Sequence, residues 1–160
     1  MNIVVADASP INYLVLIGEI DILSKLYSHI MIPNVVVEEL LDPSAPTAVA
    51  AWTRNLPEWI TVSDVASTLE QKPDEIDAGE WSAIMLAASM SVPTLLLIDD
   101  ARGRLEAERR HIAVTGTLGI LRAGAIRKFV DLPAALRRLK ETNFRCSQTL
   151  IDNLLAEDYS

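Results

Sequence analysis

Cysteine is almost missing from this chain. Cys146 stands alone among 160 residues, which excludes an intramolecular disulfide framework and a cysteine-based zinc cluster and fits a reducing compartment. Long apolar runs are missing too. None approaches the ~18 residues of a membrane span, and the opening Met1-Asn2-Ile3-Val4-Val5-Ala6-Asp7 carries no basic leader. A soluble, unprocessed cytoplasmic protein with no membrane partner is the expectation. Neither G-x-x-x-x-G-K-[ST] nor G-x-G-x-x-G occurs, which argues against a P-loop nucleotide hydrolase and a dinucleotide-binding fold.

Basic residues are in deficit. Fourteen Lys and Arg against 22 Asp and Glu leave a net charge of −8, which excludes a protein that coats nucleic acid with its whole surface. The deficit is uneven: residues 1–100 hold 15 acids and three bases, whereas residues 101–160 hold 11 bases and seven acids, net −12 and +4. Every base of the second part, from Arg102 and Arg104 to Arg145, follows the acid pair Asp99-Asp100. Either these bases sit on solvated helix faces or some of them line a cleft and hold a phosphate backbone.

What is present is core material. Half of the residues are hydrophobic and 22% are charged, enough for one filled domain over residues 1–160, with the C-terminal helices (about 133–156) packing on it. Short apolar runs at Ile3–Ala6, His29–Ile32, Trp59–Val62, Thr94–Ile98 and Ile112–Val114 read as buried strands. Between and after them, a helix is expected to start directly after the first strand, with Pro10 in its first turn and helical character over Ile11–Ile22 broken at Gly18; a second short helix is suggested by Ile20, Ile22, Leu23 and Leu26, and others at Val35–Leu41, Ala48–Leu56, Ala78–Met90, Arg102–Arg110, Leu118–Gly124, Pro133–Lys140 and Gln148–Ala156. Strands alternating with helices predict an α/β fold whose parallel sheet is covered on both faces.

Ligands of such a sheet bind beyond the carboxyl ends of its strands. The first strand runs into Asp7 and the Thr94–Ile98 strand into Asp99-Asp100, while the second leads through Pro33 into a helix carrying Glu38 and Glu39. Carboxylates gathered at one edge repel one another unless a divalent cation neutralises them. Without Cys or an accompanying His, the donor set suits Mg²⁺ or Mn²⁺. Phosphodiester hydrolysis is the implied chemistry, the metal lowering the pKa of a bound water. Each acid also has a structural reading. Asp7 could cap the next helix; Asp77-Ala78-Gly79-Glu80 fits an Asp-x-x-Glu capping box, with Asp77 as the cap; and one of Asp99 and Asp100 should start a helix while the other faces the cleft. Glu38 and Glu39 point about 100° apart, so at most one faces the site. Thr115-Gly116-Thr117 opens a helix and could hold a phosphate or a water, or form a plain turn and cap. His29 and His111 precede apolar strands, at the opposite edge from the acids, and read as structural.

Taken together, Val4-Val5-Ala6-Asp7-Ala8-Ser9-Pro10, Ile32-Pro33-Asn34-Val35-Val36-Val37-Glu38-Glu39-Leu40, Asp77-Ala78-Gly79-Glu80, Leu96-Leu97-Ile98-Asp99-Asp100-Ala101-Arg102 and Gly116-Thr117-Leu118-Gly119 resemble the PIN-domain family, in its VapC-like branch. The resemblance spans almost the whole chain in order. It implies a three-layer α/β/α fold with a mostly parallel sheet of about five strands, and a Mg²⁺- or Mn²⁺-dependent endoribonuclease, the toxin of a toxin–antitoxin pair. Implied partners are RNA, a small antitoxin protein and a second copy in a homodimer. Carried onto this chain, the catalytic acids are Asp7, Glu39, Glu80 and Asp100, with Asp7, Asp99, Asp100 and Glu80 as metal ligands. Ser9 and Thr117 would support them, and Arg102 and Arg104 would contact nucleic acid. Glu80 stands where many relatives carry Asp. Two other classes are compatible with the residues: a non-catalytic binding or interaction module on the same fold, and a receiver-type phosphotransfer domain, which would need a Lys soon after Val114 that this chain lacks.

Overall fold

Each of the short apolar runs forms one strand of a single sheet. The computed structural model describes residues 3–65, 70–157 and 159, so Met1 and Asn2, read above for a leader, lie outside the described residues. The strands are β1 (Ile3–Ala6), β2 (Ile30–Pro33), β3 (Ile60–Ser63), β4 (Thr94–Leu97) and β5 (Ala113–Thr115). The helices are α1 (Ala8–Leu16), α2 (Ile22–Tyr27), α3 (Asn34–Leu40), α4 (Thr47–Arg54), α5 (Ala78–Ala88), α6 (Ala101–Arg109), α7 (Thr117–Ile126), α8 (Leu132–Lys140) and α9 (Gln148–Ala156).

The five strands lie in the order β3-β2-β1-β4-β5 and all described pairings are parallel, because helices carry the chain back between successive strands. That order does not match the 2-1-3-4-5 arrangement of receiver-type domains. Period-two alternation then divides the core between two faces. Val4, Ala6, Ile30, Ile32 and Leu97 turn to one side, under Ile11, Leu14, Leu23, Ile120, Leu136 and Ile151. Val5, Leu96 and Ile98 turn to the other, under Ile84, Met85 and Ala107 of α5 and α6. The result is the three-layer α/β/α arrangement.

α1 starts at Ala8, directly after the first strand as the sequence indicates, with Pro10 in its first turn, where no amide hydrogen is needed. A local difference from the sequence reading has a physical cause. Pro33 closes β2 instead of stopping it, since its backbone stays extended (φ −66°, ψ 150°) as the residue before α3. Among the described residues no helix is long and apolar enough to cross a membrane. His29 bonds Thr61 at the start of β2, and His111 precedes β5, so both stand at the amino edge of the sheet.

Candidate functional site

The strand order reverses direction between β1 and β4. In a doubly wound sheet that switch point opens a crevice at the carboxyl edge, because the connections leave on opposite sides. Here Ala6 pairs in register with Leu97, and the Asp7 amide donates to the Leu97 carbonyl at 2.9 Å. The crevice is therefore flanked by Asp7 on one strand and by Asp99 and Asp100 just beyond the other. From the side, α3 brings Glu39 and the first turn of α5 brings Glu80, so that all the predicted acids except the exposed Glu38 line two adjoining clefts.

Asp7 is the most confined of them. It is 3% exposed and occupies the N-cap position of α1, yet its side chain makes no capping bond and its Oδ1 has no partner among the described residues. Burial, with the nearby charges of Asp77, Glu39 and Asp99 and against a backbone hydrogen bond at Ala8, pushes its pKa up to about 8. An acid put in a dry place with one oxygen unpartnered and no bond to the second or third amide of the helix is poor as a cap. Glu80 behaves alike. Burial first, then a hydrogen bond with Asp77 and the charges of Asp77, Asp7 and Asp100, raise it to about 8, and its Oε2 is also without a partner. That oxygen faces the start of α6, 3.4 Å from where a Cβ would stand on Gly103.

Only half of the capping box forms. Asp77 accepts from the Glu80 amide at 2.8 Å and so caps α5, as the sequence indicates, while the Glu80 carboxylate turns into the cleft. Glu39 accepts from the Gly79 amide, and burial with the Asp77 charge holds its pKa above the usual range. A Cβ on Gly79 would overlap the Glu39 carboxylate, so a larger residue there would push that side chain away from the Gly79 amide.

The acid pair after β4 is split between two tasks. Asp100 Oδ1 caps α6 by accepting from the Arg102 and Gly103 amides at 3.0 and 3.1 Å. Asp99 accepts from Ser9 Oγ at 2.7 Å and, at the same distance, from both the amide and the hydroxyl of Thr117. The start of α7 thus spends its donors on a carboxylate of the protein, and Ser9 and Thr117 act on the site through Asp99. Thr117 is fully buried, and Thr117→Val keeps its shape and its amide bond while removing one hydrogen bond to a charged acceptor. This variant is expected to lose about 1.5–3 kcal/mol in urea unfolding. An unchanged transition midpoint would mean that the hydroxyl bond carries no stability.

Four residues that the motifs did not single out also line the clefts: Tyr13, Asn143, Phe144 and Arg145. Tyr13 donates to Asn143 Oδ1 at 2.8 Å and meets the Phe144 ring edge-on at 4.9 Å, which ties the α8–α9 loop to α1 beside the acids. Burial and the Asp99 charge raise the Tyr13 pKa, and Arg145 opposes them. Arg145 belonged to the basic second part of the sequence, which was the one signal available for it. Arg104 lies on a third cleft with Asp99 and Arg145, whereas Arg102 does not line these clefts.

The donor atoms suit a hard divalent cation. Asp7 Oδ1 and Glu80 Oε2 are unpartnered oxygens of acids that line the same clefts, and Mg²⁺ commonly takes only one or two protein carboxylates, keeping waters for the rest of its shell. Among the described residues no group of three or more His, Cys, Asp or Glu side chains is placed to hold a metal ion together. An open two-carboxylate site remains compatible.

A family model described as PIN domain matches residues 3–158. Neither a comparison with curated proteins nor one with solved structures yields a match.

Proposed function

This chain belongs to the PIN-domain family, whose members are typically nucleases that use divalent metals, and on that premise we propose that it is a Mg²⁺- or Mn²⁺-dependent endoribonuclease of the VapC-like branch. The observation that carries the reading is the pair of buried oxygens, Asp7 Oδ1 and Glu80 Oε2, that have no partner among the described residues, on acids at the switch point of the sheet. These two would hold the cation, assisted by Glu39 from α3 and by Asp100, whose Oδ1 alone is used in capping. When bound, the cation would lower the pKa of an attacking water and offset charge on the leaving oxygen. The protein's own part is positional. Asp99, fixed by Ser9 and Thr117, holds α1 and α7 against the crevice floor, and Asp77 fixes the turn that aims Glu80.

The test is incubation of the protein with structured and unstructured RNAs and with DNA, in Mg²⁺, Mn²⁺ or EDTA. RNA cleavage that needs the metal is expected. Cleavage that persists in EDTA, or none of any RNA, would sink the reading. A role as the toxin of a toxin–antitoxin pair, acting as a homodimer and blocked by a small protein, rests on the motif resemblance. Exposed Leu150 and Leu155 on α9 offer an apolar surface for such a partner. One observation favours a second reading, a non-catalytic interaction module: Asp99 and Asp100 both serve structural hydrogen bonds. Cation binding without cleavage of any RNA would support it.

A further inference from the structure

The eleven bases of the second part of the chain are not equivalent. Arg109 and Arg110 pair with Glu106, Arg110 also with Glu70, Arg122 with Glu157 and Arg138 with Glu19, so each of these guanidinium groups already faces a carboxylate of the chain. Among the described residues, Arg104 and Arg145 form no ion pair, although both stand on a cleft that also contains Asp99. Unpaired cations beside a cluster of acids are available to an anion that comes to those acids.

Their placement is one-sided. The cleft toward α4 is lined by Asn12, Leu40, Ala45 and Pro46 beside the acids, with no Lys or Arg. The opposite cleft runs from Asp7 and Glu80 past Asp99 to Arg145, and the third continues past Arg145 and Arg104 along Leu118, Phe144, Leu150 and Leu154. A polyanion meets favourable charge in one direction only. Beside the two guanidinium groups the wall is apolar and includes the Phe144 ring, a combination that suits unpaired nucleotides: cations for phosphates, apolar and aromatic surface for base faces. A duplex hides those faces.

We propose that Arg104 and Arg145 form a phosphate track, along which single-stranded RNA leaves the acid crevice past the α8–α9 loop. The track rests on the nuclease reading given above. It assigns to Arg145 a role that the sequence motifs gave to Arg102.

The test measures binding of a fluorescently labelled, mixed-sequence single-stranded RNA in an Asp7→Asn background, which prevents cutting, from about 50 to about 200 mM salt. Adding Arg104→Gln and Arg145→Gln is expected to weaken binding at least about tenfold at the low-salt end and to reduce the slope of log affinity against log salt by about 1.4, two contacts at ~0.7 each. A charge-matched control, Arg127→Gln with Arg137→Gln, should leave the slope unchanged, and the same sequence as a duplex should bind more weakly. An unchanged slope in the Arg104/Arg145 variant, an equal fall in the control, or tighter duplex binding would overturn the track while leaving the nuclease reading in place. If the parent binds neither RNA, the nuclease reading falls and the track falls with it.

Discussion

Asp7→Asn is expected to cut RNA cleavage roughly a thousandfold or more, about 4 kcal/mol of barrier, while the protein stays folded. The substitution keeps shape and volume but removes the negative charge that a divalent cation needs. Because Asp7 is buried, makes no capping bond to α1 and leaves Oδ1 without a partner, the folded chain gives up no ion pair by losing that charge. At pH 8 in EDTA the variant should therefore be at least as stable as the parent. This separates a functional acid from a structural one, since replacing a true cap would lower stability by about 1 kcal/mol. Cleavage at the parental rate would remove Asp7 from the mechanism, and a lower melting temperature would make it a structural acid.

The second large effect concerns pH. Asp7 and Glu80 have ordinary values of 3.8 and 4.5 and are raised to about 8 in the folded chain. Between those limits the native state holds protons that the unfolded state has released, so the stability of the metal-free protein falls as pH rises from about 4 to about 8 and levels off above. For the buried Asp7 the change is on the order of a few kcal/mol, or roughly 5–10 °C in melting temperature for a chain of this size. Mn²⁺ or Mg²⁺ should reverse it, and the metal-induced rise in melting temperature should be greater at pH 8 than at pH 6, because binding at the lower pH must displace protons. Thermal unfolding over this pH range, with EDTA and then with metal, measures both. Stability that rises toward pH 8 in EDTA would contradict the raised values.

Much of this site is legible in the sequence because a parallel sheet makes the chemistry local to strand ends. Runs such as Ile3–Ala6 and Thr94–Leu97 announce buried strands by being apolar on both faces, and the acids that follow them must then share one edge. The three-layer fold, the sheet and the identity of the matching family were accessible on that basis. What was not legible depends on distant chain. Asp99 and Asp100 look identical in sequence, and their division follows from Thr117, which β5 delivers beside Asp99 and not beside Asp100. Likewise Asp7 resembles a cap until the chain closes over it. Asn143, Phe144 and Arg145 belong to no regular motif, and only the tie from Asn143 back to Tyr13, 130 residues earlier, puts them beside the acids.

The position of β1 in the middle of the sheet has a temporal consequence. Its neighbour β4 ends at Leu97, and Asp99 is fastened only when Thr117 is in place. A chain synthesised at about 5–20 residues per second therefore carries Asp7 for several seconds before the opposite wall of the crevice exists. Arg145 arrives later still. A nuclease of this design would be inert while its first hundred residues emerge from an RNA machine, acquiring its cutting edge only once Thr117 has followed Asp99 out.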